Sequence, residues 1–327
     1  MALVTLREML GHARRNGYAV PMFNVVSIEF LDAILRAAVD ARSPVILGVA
    51  EVHLEYVSLD LLAPAIHEAA QAAPVPVVVH FDHGKTLESV IRAIRAGFTS
   101  VMLDASEEPF EENVRITKEV VRVARAVGAS VEGEIGRMVG AEASLVPKEA
   151  REELFTDPEE AAEFVKQTGV DALAVSVGTV HGRYRGEPRL DFGRLKRISE
   201  LTSVPLVLHG GSGTPADQLR RAVDLGVAKV NFFTDLQVAA VEAMGRTIAE
   251  KGEMASYGEV AESAKRAIYQ VAREKIKTLR SEGVCSSATD LCASCKGCEL
   301  SERGWEERIA EIAAKAAAEV MRRLKEG

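Results

Sequence analysis

The sequence predicts an α/β protein of the (β/α)8 TIM-barrel class, and two observations carry that expectation. Short Val-, Ile- and Leu-rich segments, too uniformly apolar for strands with one wet face, alternate about eight times with segments of helical periodicity. Polar residues gather where the apolar runs end, which is where the strands of a barrel open onto a common mouth. A doubly wound open sheet would instead offer a glycine-rich dinucleotide loop after its first strand, and Phe23-Asn24-Val25-Val26-Ser27 has none.

The elements follow in order. The opening stretch MALVTLREMLGHARRNG reads as a short amphipathic helix, without the unbroken apolar run or small-residue cleavage site of a secretory signal. Strands are expected near 19–23, 45–50, 76–81, 100–104, 129–134, 171–176, 205–209 and 227–232. Helices are expected between them near 27–41, 60–72, 86–96, 109–126, 157–168, 191–202, 215–224 and 234–250. Ser27, Thr86 and Asp157 each supply a capping oxygen ahead of a first turn that carries an acid, and Pro158 fits the first helical position after Asp157. Residues 1–284 form the expected barrel domain, and 285–327 a cysteine-containing helical extension. In that extension Trp305, Ile309, Ile312, Ala316, Val320 and Leu324 recur at helical spacing, as a packing face against the barrel or another subunit would.

A chain of 327 residues, 47% of them hydrophobic, is long enough to bury a large core. Its net charge of −8 offers no basic footprint for nucleic acid. No run approaches the roughly 18 apolar residues that span a bilayer, so a small diffusible partner and a cytoplasmic location are expected. All four cysteines fall between Cys285 and Cys298, which argues against a fold built on disulfides.

The strand ends hold the chemistry. His83, His181 and His209 follow or end three different apolar runs, and in a closed barrel three such imidazoles can hold one zinc ion with a coordination position open. A lone histidine at a strand end is more often structural, so the weight lies on the three together. His80 lies within its strand and reads as core or as a support for a ligand. Asp82 and His83 are adjacent, so their side chains are expected to diverge, one toward a metal and the other toward a substrate. Such an aspartate suits proton transfer, though it also suits capping the Gly84-Lys85 turn. Asp104 and Glu134 stand at neighbouring strand ends, where carboxylates form a second metal position or orient the imidazoles. Gly210-Gly211-Ser212-Gly213 opens a helix after the seventh strand, and Asn231-Phe232-Phe233-Thr234 ends the eighth; barrels bind phosphate in these two loops. The polar stretch between Gly136 and Thr156 is too long for an ordinary connector and reads as a flap over the mouth.

The motifs HFDHG (80–84), EGEIG (132–136), GTVHGRY (178–184), HGGSG (209–213) and NFFTDL (231–236), in this order, resemble the class II, zinc-dependent fructose- or tagatose-bisphosphate aldolases over roughly 1–284. The resemblance implies a (β/α)8 lyase that cleaves a ketose 1,6-bisphosphate to dihydroxyacetone phosphate and glyceraldehyde 3-phosphate. It assigns zinc to His83, His181 and His209, with Asp104 and Glu134 as a secondary position or as supports. It assigns proton transfer at the aldehyde oxygen to Asp82, the carbon base on the flap to Glu142, and enediolate contact to Asn231. Phosphate falls to Gly182, Gly210, Gly211, Ser212, Asn231 and Thr234, with a monovalent cation nearby, and the expected assembly is a homo-oligomer, dimer or tetramer.

Two departures bear on the substrate: Ala50 stands where the family usually has a serine, with Glu51 beside it, and Arg185 stands where a lysine is common. Outside the resemblance, the spacing of Cys285, Cys292, Cys295 and Cys298 fits a metal or iron–sulfur site, but equally free or redox-active thiols. The alternative to an enzyme is a non-catalytic sugar-phosphate sensor with a metal- or redox-responsive tail. Retention of the Asp82 and Glu142 pair favours catalysis.

Overall fold

A computed structural model describes residues 3–140 and 145–286. The apolar runs form eight parallel strands, β1 (Val20–Asn24), β2 (Val45–Ala50), β3 (Val77–Gly84), β4 (Ser100–Leu103), β5 (Ser130–Ile135), β6 (Ala172–Val175), β7 (Leu206–Leu208) and β8 (Val227–Phe232). Each pairs with the next and β8 with β1, closing a barrel. Closure leaves no wet strand face, because helices cover the outside and side chains fill the inside; this is why the runs are apolar throughout.

The covering helices are α2 (Ile28–Asp40), α3 (Leu59–Ala72), α4 (Leu87–Arg95), α5 (Phe110–Ala126), α6 (Pro158–Thr168), α7 (Phe192–Leu201), α8 (Ala216–Asp224) and α9 (Thr234–Lys251). Their starts follow the expected caps. Ser27 accepts from the Phe30 N–H, Thr86 from Ser89, and Asp157 from Glu159 and Glu160. Ahead of them α1 (Leu6–Asn16) turns Leu6, Met9, Leu10 and Ala13 inward. These pack on Val20, Ile46, Val78, Ala172 and Val207 inside the barrel and close its N-terminal end.

Sequence periodicity missed α10 (Tyr257–Thr278), which packs along α2 and α9. Its inward positions Ala264, Ile268, Ala272 and Ile276 make a stripe weakened by two alanines. A start signal was present, since Ser256 and Glu259 form a reciprocal capping box. Of the cysteines, Cys285 is buried in the outer core, while Cys292, Cys295, Cys298 and the expected helix around Trp305 lie outside the described residues.

Two strands carry a surplus residue. Phe81 pairs with Val101 and Gly84 with Leu103, so Asp82 and His83 together oppose Met102. Val227 pairs with Leu206 and Lys229 with Val207, leaving Ala228 unmatched. These irregularities decide what faces the barrel interior near its mouth.

Candidate active site

The β3 bulge sets how Asp82 and His83 part company at the mouth. His83 adopts φ +46° and turns toward the other two histidines, while Asp82 turns toward Asn24 and Asn231. At the mouth the rings of His83, His181 and His209 converge, with centroids 4.7 to 5.8 Å apart. One nitrogen from each lies within 4.8 Å of the other two. His83 Nε2 and His209 Nδ1 face each other at 2.9 Å, near the roughly 3.3 Å edge expected between nitrogens on a tetrahedral zinc.

The outer ring nitrogens fix the tautomers. His83 Nδ1 donates to Asp104 Oδ2 at 3.1 Å, and His209 Nε2 donates to Glu132 Oε1 at 2.8 Å. A carboxylate only accepts, so the inner nitrogens carry the lone pairs. Two lone pairs in contact need a proton or a cation between them. In the protein without metal that role falls to a proton: against the opposing pull of burial, Asp82, Asp104 and Glu134 hold His83 well above the ordinary imidazole range. Burial together with the carboxylates Asp104, Glu132 and Asp82 pushes Glu134 well up, although His83 opposes this. A pocket that raises both an imidazole and a carboxyl has a surplus of negative charge that a divalent cation relieves. The donor set therefore fits a metal.

Asp82 is fully buried and sits between two amides, Asn24 Nδ2 donating to Oδ2 at 3.4 Å and Asn231 Nδ2 to Oδ1 at 3.3 Å. Burial opposes its charge, yet His83 and His80 keep it well below the usual carboxylate range, so it stands ionised. Glu134 Oε2 lies 3.5 Å from His209 Nδ1, and Asp104 and Glu134 make a second group with His83 that could hold an ion. The residue that receives the His209 N–H is Glu132.

Gly182, Ser212 and Thr234 line a cavity of about 480 Å³ together with Gly213, Asp235 and Lys275. Ser212 Oγ accepts the Phe233 and Asp235 N–H groups at the start of α9, which joins the two loops. Gly210 lies behind them at φ +65°, where a Cβ would stand 2.2 Å from the Val180 carbonyl oxygen. Only glycine fits there. Tyr184 donates to the Gly210 carbonyl at 2.7 Å, and burial raises its phenol to about 12, so it stays a donor. Ala50 is buried at the end of β2, and the Glu51 carboxylate accepts from the Lys85 N–H and the Ser89 hydroxyl. The flap is partly described. Val139 bridges Val180 and Lys148 bridges Tyr184, which lays these two points of the flap against the loop that carries His181. Glu142 lies outside the described residues.

His53, in the short 3-10 helix Glu51–Glu55, carries no role in the sequence reading, yet it is buried against Phe233 with ring centroids 4.3 Å apart. Burial lowers it from 6.5 to about 4. The unfolded chain then binds the proton first, so this group costs stability progressively as pH falls from 6.5 toward 4. At pH 5 the loss is about 2 kcal/mol. Urea unfolding of the metal-free protein at pH 7 and pH 5 checks this, since His53→Leu should lose less stability than the wild type by that amount.

The profile of the family described as "Fructose-bisphosphate aldolase class-II" matches residues 4–284. The chain belongs to this family, in which zinc dependence is characteristic, and it is a carbon–carbon lyase. It is 46% identical over 254 residues to the fructose-bisphosphate aldolase of Geobacillus stearothermophilus, covering 76% of this chain and 87% of that one. It is 42% identical over 282 residues to the fructose-bisphosphate aldolase of Staphylococcus aureus (strain Mu50), covering 85% and 97%. Among solved structures, the YdjI aldolase from Escherichia coli K12 superposes with TM-score 0.75 at 36% identity, over 86% of this chain and 99% of that chain.

Proposed function

We propose that this aldolase cleaves a ketose 1,6-bisphosphate, of fructose or tagatose configuration, to dihydroxyacetone phosphate and glyceraldehyde 3-phosphate, with zinc held by His83, His181 and His209. The observation that carries this reading is the meeting of three inward-facing imidazoles with an ionised, buried Asp82 at one barrel mouth. The chemistry zinc supplies when bound is Lewis acidity at the ketone carbonyl, which makes the adjacent carbon a better leaving carbanion.

The rest falls to the protein. Asp82 takes the proton of the hydroxyl on the carbon that becomes the aldehyde. The carbon–carbon bond breaks, and its electron pair stays on the fragment next to the ketone as an enediolate. Asn231, whose amide already spans to Asp82, donates to that fragment. Glu142 returns a proton to the carbon, which completes dihydroxyacetone phosphate. Ser212, Gly182 and Thr234 at the start of α9 hold the phosphate with backbone N–H groups and hydroxyls, and the glycine turn at 210–211 shapes the loop behind them. The active form is a cytoplasmic homo-oligomer.

Release of dihydroxyacetone phosphate from fructose and tagatose 1,6-bisphosphates, measured beside the zinc content of the protein, tests this. Release that follows zinc occupancy is expected. Failure with both sugars, or full turnover by zinc-free protein, removes the proposal.

A further inference from the structure

Lys229 is among the largest fully buried side chains, at 0% exposure inside the barrel. Its Nζ donates to both oxygens of Glu132, at 3.0 and 2.8 Å. Glu132 Oε1 also receives the Nε2–H of His209 at 2.8 Å. With both oxygens held by an ammonium across the barrel, the carboxylate cannot turn about its last bond, and the imidazole it grips cannot turn either. We infer that Lys229 is a positioning residue of the metal centre, acting through Glu132 to keep His209 Nδ1 aimed at the cation. The inference rests on the zinc site proposed above.

Stability does not explain the pair. A buried ion pair is at best about neutral beside an apolar pair of the same volume. The chain itself fills neighbouring interior positions with Ile46, Val78 and Val207. The strand is also irregular where it presents the lysine, since Ala228 is the unmatched residue just before it. His80 is not an equivalent holder: its Nδ1 is engaged by Ser100 Oγ at 2.8 Å, and its Nε2 stands 3.9 Å from Glu132. The Lys229 ammonium hydrogen-bonds Glu132 and not the imidazole, so its hold on the orientation of the His209 ring passes through that carboxylate.

The test measures zinc affinity by competition with a chelator, the visible spectrum of the cobalt(II) protein, and the melting temperature of the metal-free protein. Four proteins enter: wild type, Lys229→Met, Glu132→Leu and the double variant. Glu132→Leu should weaken zinc binding about 10- to 100-fold and Lys229→Met about tenfold. Lys229→Met should add nothing once Glu132 is leucine. The cobalt bands should shift in each variant, while the double variant, an apolar pair in an apolar barrel, melts close to the wild type. Unchanged affinity and spectrum in Lys229→Met, or an equal effect in both backgrounds, overturns the inference. If Lys229→Met fails to fold because its carboxylate is left unpaired, Glu132→Gln is compared with Glu132→Gln/Lys229→Met. About tenfold weaker binding in the second supports the role, and equality overturns it. A wild type that binds no zinc sinks the proposed site instead, so the two failures are distinguishable.

Discussion

Chelation of the metal, or replacement of His181 by alanine, should lower kcat/KM on the order of 10⁴-fold. Lewis-acid stabilisation of developing charge is worth several kcal/mol, and each 1.36 kcal/mol is a factor of ten. His181 is the informative ligand because it sits on the loop that the flap bridges, whereas removing His83 or His209 would also take a hydrogen-bond donor from Asp104 or Glu132. Added zinc should restore the chelated wild type fully and the variant hardly at all, as a coupled assay for dihydroxyacetone phosphate would read. A His181→Ala protein that binds zinc with native affinity and turns over normally would remove this residue from the metal set.

Asp82→Ala should lower kcat by about 10²- to 10⁴-fold, the range of a lost general base, with a smaller change in KM. Zinc affinity should change little, because Asp82 sits between the amides of Asn24 and Asn231, beside the imidazoles and not behind them. The variant also separates enzyme from sensor. Exchange of the carbon-bound proton of dihydroxyacetone phosphate with solvent needs no aldehyde, so it should survive in Asp82→Ala while cleavage fails. Loss of both together would mean that Asp82 acts on the carbon acid, against the role given to Glu142.

Much of this is legible in the sequence. Parallel strands buried on both faces must be apolar throughout, and helix starts at Ser27, Thr86 and Asp157 announce themselves by their capping oxygens. The three histidines were visible because a barrel sends every strand end to the same mouth. What escaped depends on pairing across the barrel. A period of two requires Asp82 and His83 to face apart, and only the neighbouring strand reveals the surplus residue that lets both face in. Glu134 reads in the sequence as part of a second metal position or as a support for the imidazoles, and it does group with His83 and Asp104, but nothing in the sequence announces that Glu132 receives the His209 N–H. Lys229, a charge in the apolar run VAKVNF, was the signal for that link, but its partner lies on β5, 97 residues earlier. α10 escaped because alanines blur its inward stripe.

The surplus residue in β3 ties two functions to one accident of spacing. A single insertion or deletion between Val77 and Phe81 shifts Asp82 and His83 together, because both follow it in the same strand. A change of length early in this strand therefore removes the cation grip and the proton carrier in one event, while a substitution can remove either alone.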